Sequence, residues 1–304
     1  MDSHIPVLLR EVLSFLEPRP GMRILDGTLG LGGHALALLQ AAVAAGIPEA
    51  SLLGLDRDGQ ALALACRRLL PFGERVQAVR AAFSEAAEIL KSRGWERVDF
   101  ALADVGTSSL QLDSPERGFS FLRDGPLDMR MDQRQEETAE RLVNTASFSR
   151  LRRILAEWGE EPLAGRIAGA IVEARAREPI LTTARLARVV ESAYPARRRA
   201  AARNHPATRT FQALRMEVNS EVSELKAFLR AVVPNLAPGG RIAVISFHSL
   251  EDRLVKYFFR DEARDGLRSP ALRVLTAKPV EASPEERAAN PRSRSAKLRV
   301  AEKL

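Results

Sequence analysis

Residues Asp26-Gly27-Thr28-Leu29-Gly30-Leu31-Gly32-Gly33-His34 set four glycines where a strand is expected to hand over to a helix. Such a loop lets backbone amides approach a ligand that a side chain would hold off, and glycine tolerates the positive φ of a tight turn. Gly30, Gly32 and Ala35 fit the G-x-G-x-x-A spacing of dinucleotide loops, a pattern of low specificity on its own. Asp56 raises it. It ends the next apolar run, 24 positions after Gly32, where a carboxylate can accept both hydroxyl hydrogens of a ribose. The combination suits NAD and S-adenosylmethionine alike; the bland alternative is a tight turn beside an exposed acid. Phe83 follows the third apolar run and can pack against an adenine or simply fill the core. A fourth run ends in Asp104-Val105-Gly106-Thr107-Ser108-Ser109, at the carboxyl edge where open α/β sheets bind ligands.

These residues need a sheet to position them. From Met22 the chain alternates short apolar runs with amphipathic ones, the pattern of strand and helix units that build a parallel sheet. Strands are expected at 22–26, 52–56, 76–80 and 99–105, and helices at about 34–45, 59–70 and 84–93. After Gly106 the pattern breaks: Thr107 to Arg134 is rich in Gly, Pro, Asp and Arg, and Glu137 to about Ala193 reads as helix without strand signals. One long helix is expected from about Arg215 to Leu236, ending at the Pro238-Gly239-Gly240 turn before a strand at Arg241 to Phe247. A helix at Leu250 to Ala263 and a closing antiparallel pair, Leu272 to Lys278 with Ala296 to Glu302, complete the chain. The fold class is thus α/β. Residues 1–112 form the first part of one domain, 113–215 an inserted, mostly helical one, and 216–304 the second part with a basic tail.

The chain of 304 residues is 45 % hydrophobic and 28 % charged, a globular composition with length for about two domains. No apolar run reaches the ~18 residues of a membrane span, and the N-terminus lacks a secretory pattern, so the cytoplasm is expected. The single cysteine, Cys66, excludes intrachain disulfides and lies in an apolar helical run that places it in the core. The four histidines form no metal-binding pair, and no metal is expected. The formal charge of +7 favours a polyanionic partner. Its excess lies outside the first third: basic and acidic residues number 11 and 13 in 1–112, 19 and 14 in 113–215, and 16 and 12 in 216–304. Arg197, Arg198, Arg199, Arg203 and Arg209, in a stretch without acids, are candidate phosphate ligands, as is the tail with Arg287, Arg292, Arg294, Lys297, Arg299 and Lys303. A solvated charged face is the simpler reading of either.

Seven stretches carry a resemblance. They are 4–9 (HIPVLL), the 26–34 loop, 117–121 (RGFSF), 124–132 (DGPLDMRMD), 205–213 (HPATRTFQA), 246–253 (SFHSLEDR) and 290–299 (NPRSRSAKLR). In this order they resemble the bacterial 16S ribosomal RNA (cytosine-N4)-methyltransferase family. The resemblance implies a Rossmann-like methyltransferase fold interrupted by a helical substrate domain, with S-adenosylmethionine as methyl donor. It implies as acceptor the N4 of a decoding-centre (P-site) cytidine in 16S rRNA of the small ribosomal subunit. Donor contacts then fall on Gly32, Gly33, His34, Asp56, Phe83, Asp104 and Gln111. Leu29, Leu31 and Leu110 stand where the family pattern has Phe, Arg and Pro.

The lone pair of N4 is delocalised into the cytosine ring, and an acceptor bonded to its N–H groups helps free it as positive charge develops. Asp104 is the first candidate, with Asn219, His248 and Ser246 as later polar groups; His248 reads equally as a hydrogen bonder at a helix start. Methylation at C5 would instead need a thiolate. Phe119 and Phe121 can stack on an exposed base or anchor the insert. Two other readings stay open on the residues alone: an NAD-dependent oxidoreductase, and a non-catalytic RNA-binding protein. The oligomeric state stays open too.

Overall fold

The computed structural model describes residues 5–200, 204–264 and 271–304. The chain divides into two compact units, one comprising the residues up to Gly106 with Val222–Leu304, the other Thr107–Glu221. The inserted unit therefore starts and ends six residues outside the expected 113–215.

The first unit opens with α1 (Leu9–Ser14), β1 (Arg23–Asp26), α2 (Gly33–Ala44), β2 (Ser51–Asp56), α3 (Gly59–Leu69), β3 (Val76–Arg80), α4 (Ala86–Ser92) and β4 (Val98–Asp104). The insert supplies α5 (Ser109–Asp113), α6 (Ala139–Thr145), α7 (Phe148–Glu157), α8 (Ala164–Arg177), α9 (Thr183–Ala193), α10 (Ala196–Ala200) and α11 (Thr208–Val218). The chain returns through α12 (Glu221–Val232), β5 (Leu236–Ser246), α13 (Ser249–Glu262), β6 (Leu272–Val274), β7 (Val280–Glu281), α14 (Pro284–Ala289) and β8 (Lys297–Lys303).

The strands form one sheet in the order β3-β2-β1-β4-β5-β8-β6, with β7 also paired to β8. Strands β1 to β5 run parallel, and β8 is antiparallel to β5. This is the Rossmann-like order, and its direction reverses between β1 and β4, where such sheets bind ligands. Alternate residues of a strand face opposite sides. Ile24, Leu52, Phe100 and Ile245 accordingly pack under α1 and α2, while Leu25, Leu53, Ala101 and Val244 pack against α4, α12 and α13. Both faces are covered, which explains why the parallel strands are almost wholly apolar.

The expected helix from Arg215 to Leu236 is two helices. Asn219 ends α11, and Ser220 follows in the left-handed region at φ 51°. Strand β5 also begins earlier than expected, at Leu236; the Pro238-Gly239-Gly240 turn lies within it, beside a register shift opposite Val98 and Phe100. The expected strand at Leu272 to Lys278 is shortened to β6, and β7 lies just beyond it; both pair with β8.

The insert has its own core, built on Met129, Leu142, Ile154, Ile167, Leu186 and Leu214. Gly118 sits at φ +71°, and a Cβ there would lie 2.3 Å from the Pro126 carbonyl, so only glycine closes this crossing of the chain.

Candidate active site

Three acids stand at the carboxyl ends of the parallel strands: Asp26 on β1, Asp56 on β2 and Asp104 on β4. The glycine loop lies among them, and hydrogen bonds to two of them fix its path. The Gly30 amide donates to Asp56 Oδ2 at 2.7 Å, and the Asp58 amide donates to Asp56 Oδ1 at 2.8 Å. Asp58 in turn caps α3, accepting from the Gln60 and Ala61 amides. Each oxygen of Asp56 keeps accepting capacity, since an ionised carboxylate offers about four lone-pair sites. Burial nevertheless raises its pKa, against the lowering effect of the two amides.

Thr28 joins the other two acids. Its amide donates to Asp26 Oδ1 at 3.0 Å, and its hydroxyl accepts from the Asp104 amide at 2.6 Å. Asp26 is buried, which pushes its pKa up to about 7; the Thr28 amide opposes this and Asp56 adds to it. Asp104 is pushed up to about 8, first by burial and then by the negative charges of Asp26 and Glu251. Its side chain is 26 % exposed, yet Oδ1 is buried without a hydrogen-bond partner. A buried acceptor left unpaired costs about 1–3 kcal/mol, which a bound ligand's donor can recover.

His34 Nε2 donates to the Val7 carbonyl at 2.9 Å, so in the neutral ring Nδ1 presents a lone pair, 3.7 Å from Asp104 Oδ2. Gly32 precedes α2 at φ +74°, and a Cβ on it would crowd Ala65 at 3.2 Å; a Cβ on Gly33 would meet Pro6 at 2.6 Å. These two glycines are thus required by packing around the loop, whatever the loop binds. Leu29, where the family pattern has Phe, lies over Gly54 of β2, whose absent Cβ makes the room. Phe83 is buried in the core with its ring 5.1 Å from that of Phe228.

The remaining candidates are held by partners of their own. Gln111 belongs to the inserted unit, where its Oε1 accepts from the Ser108 amide and its own amide donates to Ser108 Oγ, the reciprocal cap of α5. Asn219, 2 % exposed, uses its side chain inside the insert: Oδ1 accepts from the Met131 amide, and Nδ2 donates to the Met129 and Arg215 carbonyls. This is why α11 stops there. His248 is the N-cap of α13, its Nδ1 accepting from the Glu251 amide, while Glu251 Oε2 accepts from the Phe247 amide. Ser246 donates to the Lys297 carbonyl at 3.4 Å.

Arg197, Arg198 and Arg199 are exposed on α10; Arg203 lies outside the described residues. Arg209 is exposed and donates to the Glu160 carbonyl at 2.9 Å. In the tail, Arg299 is held by Asp252 and Arg287 by Glu281, while Arg292 and Arg294 are exposed. Phe119 lies in the insert's core, and Phe121 packs against His205 and Phe211. Cys66 is exposed, contrary to expectation, because the inward stripe of α3 is Ala61, Ala65 and Leu69. Sequence reasoning takes Thr28 and Asp26 only as parts of the loop, and it weighs Glu251 only as a partner of His248 on a metal. A strand-end Asp followed two positions later by Thr is the signal that could have found the first pair.

The whole chain, residues 1–304, matches the family model described as the MraW methylase family. The "Ribosomal RNA small subunit methyltransferase H" of Solidesulfovibrio magneticus is 59 % identical, covering 99 % of this chain and 95 % of that protein. The protein of the same name from Oleidesulfovibrio alaskensis is 57 % identical over 99 % of this chain and 95 % of that one. Lawsonia intracellularis has a further relative so named, 50 % identical over 99 % of both chains. With a family model matched from end to end and relatives of this identity, the chain belongs to the MraW methylase family.

Proposed function

We propose that this methylase transfers the methyl group of S-adenosylmethionine to the exocyclic N4 of a decoding-centre cytidine in small-subunit rRNA. Family membership removes the nicotinamide and non-catalytic readings and leaves the acceptor atom to chemistry. The observation that carries the reading is the buried, unpartnered Oδ1 of Asp104 at the sheet's reversal point. Asp56 has accepting capacity for ribose hydroxyls, and a set of three acids at neighbouring strand ends suits a donor that bears positive charge. Bound S-adenosylmethionine supplies an electrophilic methyl on a sulfonium with a neutral thioether as leaving group.

Asp104 accepts a hydrogen bond from the N4 amino group and so draws electron density back onto the nitrogen as its charge develops. The second proton of the methylated amine then has an acceptor in the same carboxylate. Positioning carries the rest of the rate. We assign substrate recognition to the inserted unit, with Arg197, Arg198 and Arg199 on phosphates, acting in the cytoplasm on rRNA within the small subunit. No helix among the described residues is long and apolar enough to cross a membrane.

Incubation with labelled donor and small-subunit particles, followed by nucleoside digestion and mass spectrometry, tests the reading. N4-methylcytidine is the expected product. Label on C5 of a pyrimidine or on ribose overturns it.

A further inference from the structure

Helix α13 leaves the carboxyl edge directly after β5, whose Ile245 lies in register with Asp104. Its inner face is spent on the core through Val255 and Phe259. Its outer face carries Arg253, Lys256, Tyr257 and Arg260, all exposed, and Arg264 follows just past the helix end. At 100° per residue these four helical positions fall within an arc of about 100°, and they extend about 10 Å along the helix. Tyr257 is 43 % exposed, with the Arg260 guanidinium 4.5 Å and the Lys256 ammonium 5.9 Å from its ring centre. Asp261 is an acid set against the stripe, 3.1 Å from Arg260 and 3.8 Å from Arg264.

We infer that the outer face of α13 is a second RNA-binding surface, which leads the substrate strand to the carboxyl edge: its cations bind phosphates and Tyr257 stacks on a base. This rests on the RNA-methylation reading above. Cations interleaved with an exposed aromatic ring are what a single strand recognises, because every base has a face to stack and every linkage a charge. A lipid surface is a poor fit, since it would require the helix's apolar face, and that face is buried in the core. The stripe begins within two turns of the helix start, so a strand lying along it is delivered to the edge where Asp104 stands. The excess of positive charge after residue 216 thereby acquires a location distinct from the arginines of α10.

The test uses the full-length protein and a labelled small-subunit rRNA fragment, with fluorescence anisotropy at several salt concentrations beside a calorimetric donor titration. Lys256→Ala with Arg260→Ala should weaken RNA binding five- to thirty-fold and reduce the log–log salt slope by about 1.4, the single-strand value for two phosphates. Tyr257→Ala should weaken it several-fold without changing the slope, and Tyr257→Phe should restore it. Asp261→Ala should tighten binding. Donor affinity and the thermal midpoint should remain those of the wild type throughout. If the wild type binds the fragment while the double variant keeps its affinity and slope, the stripe is a solvated face and the inference falls alone. If the stripe instead captures a ribosomal protein with RNA affinity untouched, the inference is likewise overturned. A wild type that neither binds nor methylates small-subunit RNA overturns the parent reading as well.

Discussion

The amide of Gly30 donates to Asp56 Oδ2 at 2.7 Å, so the acid that ends β2 also holds the glycine loop leading from β1. In the proposed reading one side chain serves both the shape of the loop and the recognition of the donor that the loop binds. Replacing Asp56 with Ala removes the acceptor of two backbone amides and, in the proposed donor site, of the ribose hydroxyls. Donor affinity should fall by about 1–3 kcal/mol, with a smaller loss of thermal stability. Calorimetry with S-adenosylmethionine reads the first and a melting curve the second; unchanged affinity in a folded variant would remove Asp56 from the donor site.

Asp104 and Asp26 have pKa values raised to about 8 and about 7 from an ordinary value near 3.8. The folded protein thus holds protons that the unfolded chain releases. Their stabilisation is complete below pH 4 and is lost as pH rises through 7 and 8. The donor-free protein should melt at a lower temperature at pH 8.5 than at pH 6, and Asp104→Asn should flatten that dependence. Donor affinity should move the other way, rising with pH as the acids ionise beside a cationic ligand. A donor affinity independent of pH between 6 and 9 would contradict the raised values.

Asn219→Ala deletes three hydrogen bonds to buried backbone in the insert. Left without partners, the Met131 amide and the Met129 carbonyl should destabilise the protein by about 2–4 kcal/mol, measurable by urea unfolding. Donor affinity of the folded fraction should stay near wild type. Full stability with abolished turnover would make Asn219 a catalytic group instead.

Arg197, Arg198 and Arg199 are exposed on α10. Their replacement by Ala should weaken RNA binding and lower the salt slope by nearly one unit for each phosphate no longer neutralised, leaving the donor titration unmoved. A triple variant with wild-type salt slope would make this patch a solvated face.

Gly54→Ala brings a Cβ to 2.7 Å from the Leu29 methyl groups. Overpacking of this kind costs about 1–3 kcal/mol. Leu29→Ala in the same chain should recover part of the loss, a coupling that thermal melts of the two single variants and the double variant would measure.

What is legible in the sequence is what local pattern encodes. Apolar runs of four to seven residues separated by amphipathic stretches place β1 to β4 and their helices within a residue or two, because the same short segment both makes the strand and buries it. The glycine loop, Asp56 and Asp104 are equally visible, since strand ends and glycine spacing are local features. The break at Asn219 is not. Residues 208–232 have helical periodicity throughout, and the interruption comes from Met129 and Met131, some 90 positions away, competing for the Asn219 amide. The link from Thr28 to Asp104 likewise spans 76 residues and exists only once β1 and β4 lie side by side. Burial decides the rest: the raised pKa values of Asp26 and Asp104 depend on which neighbours the fold brings up, and no single segment carries that information.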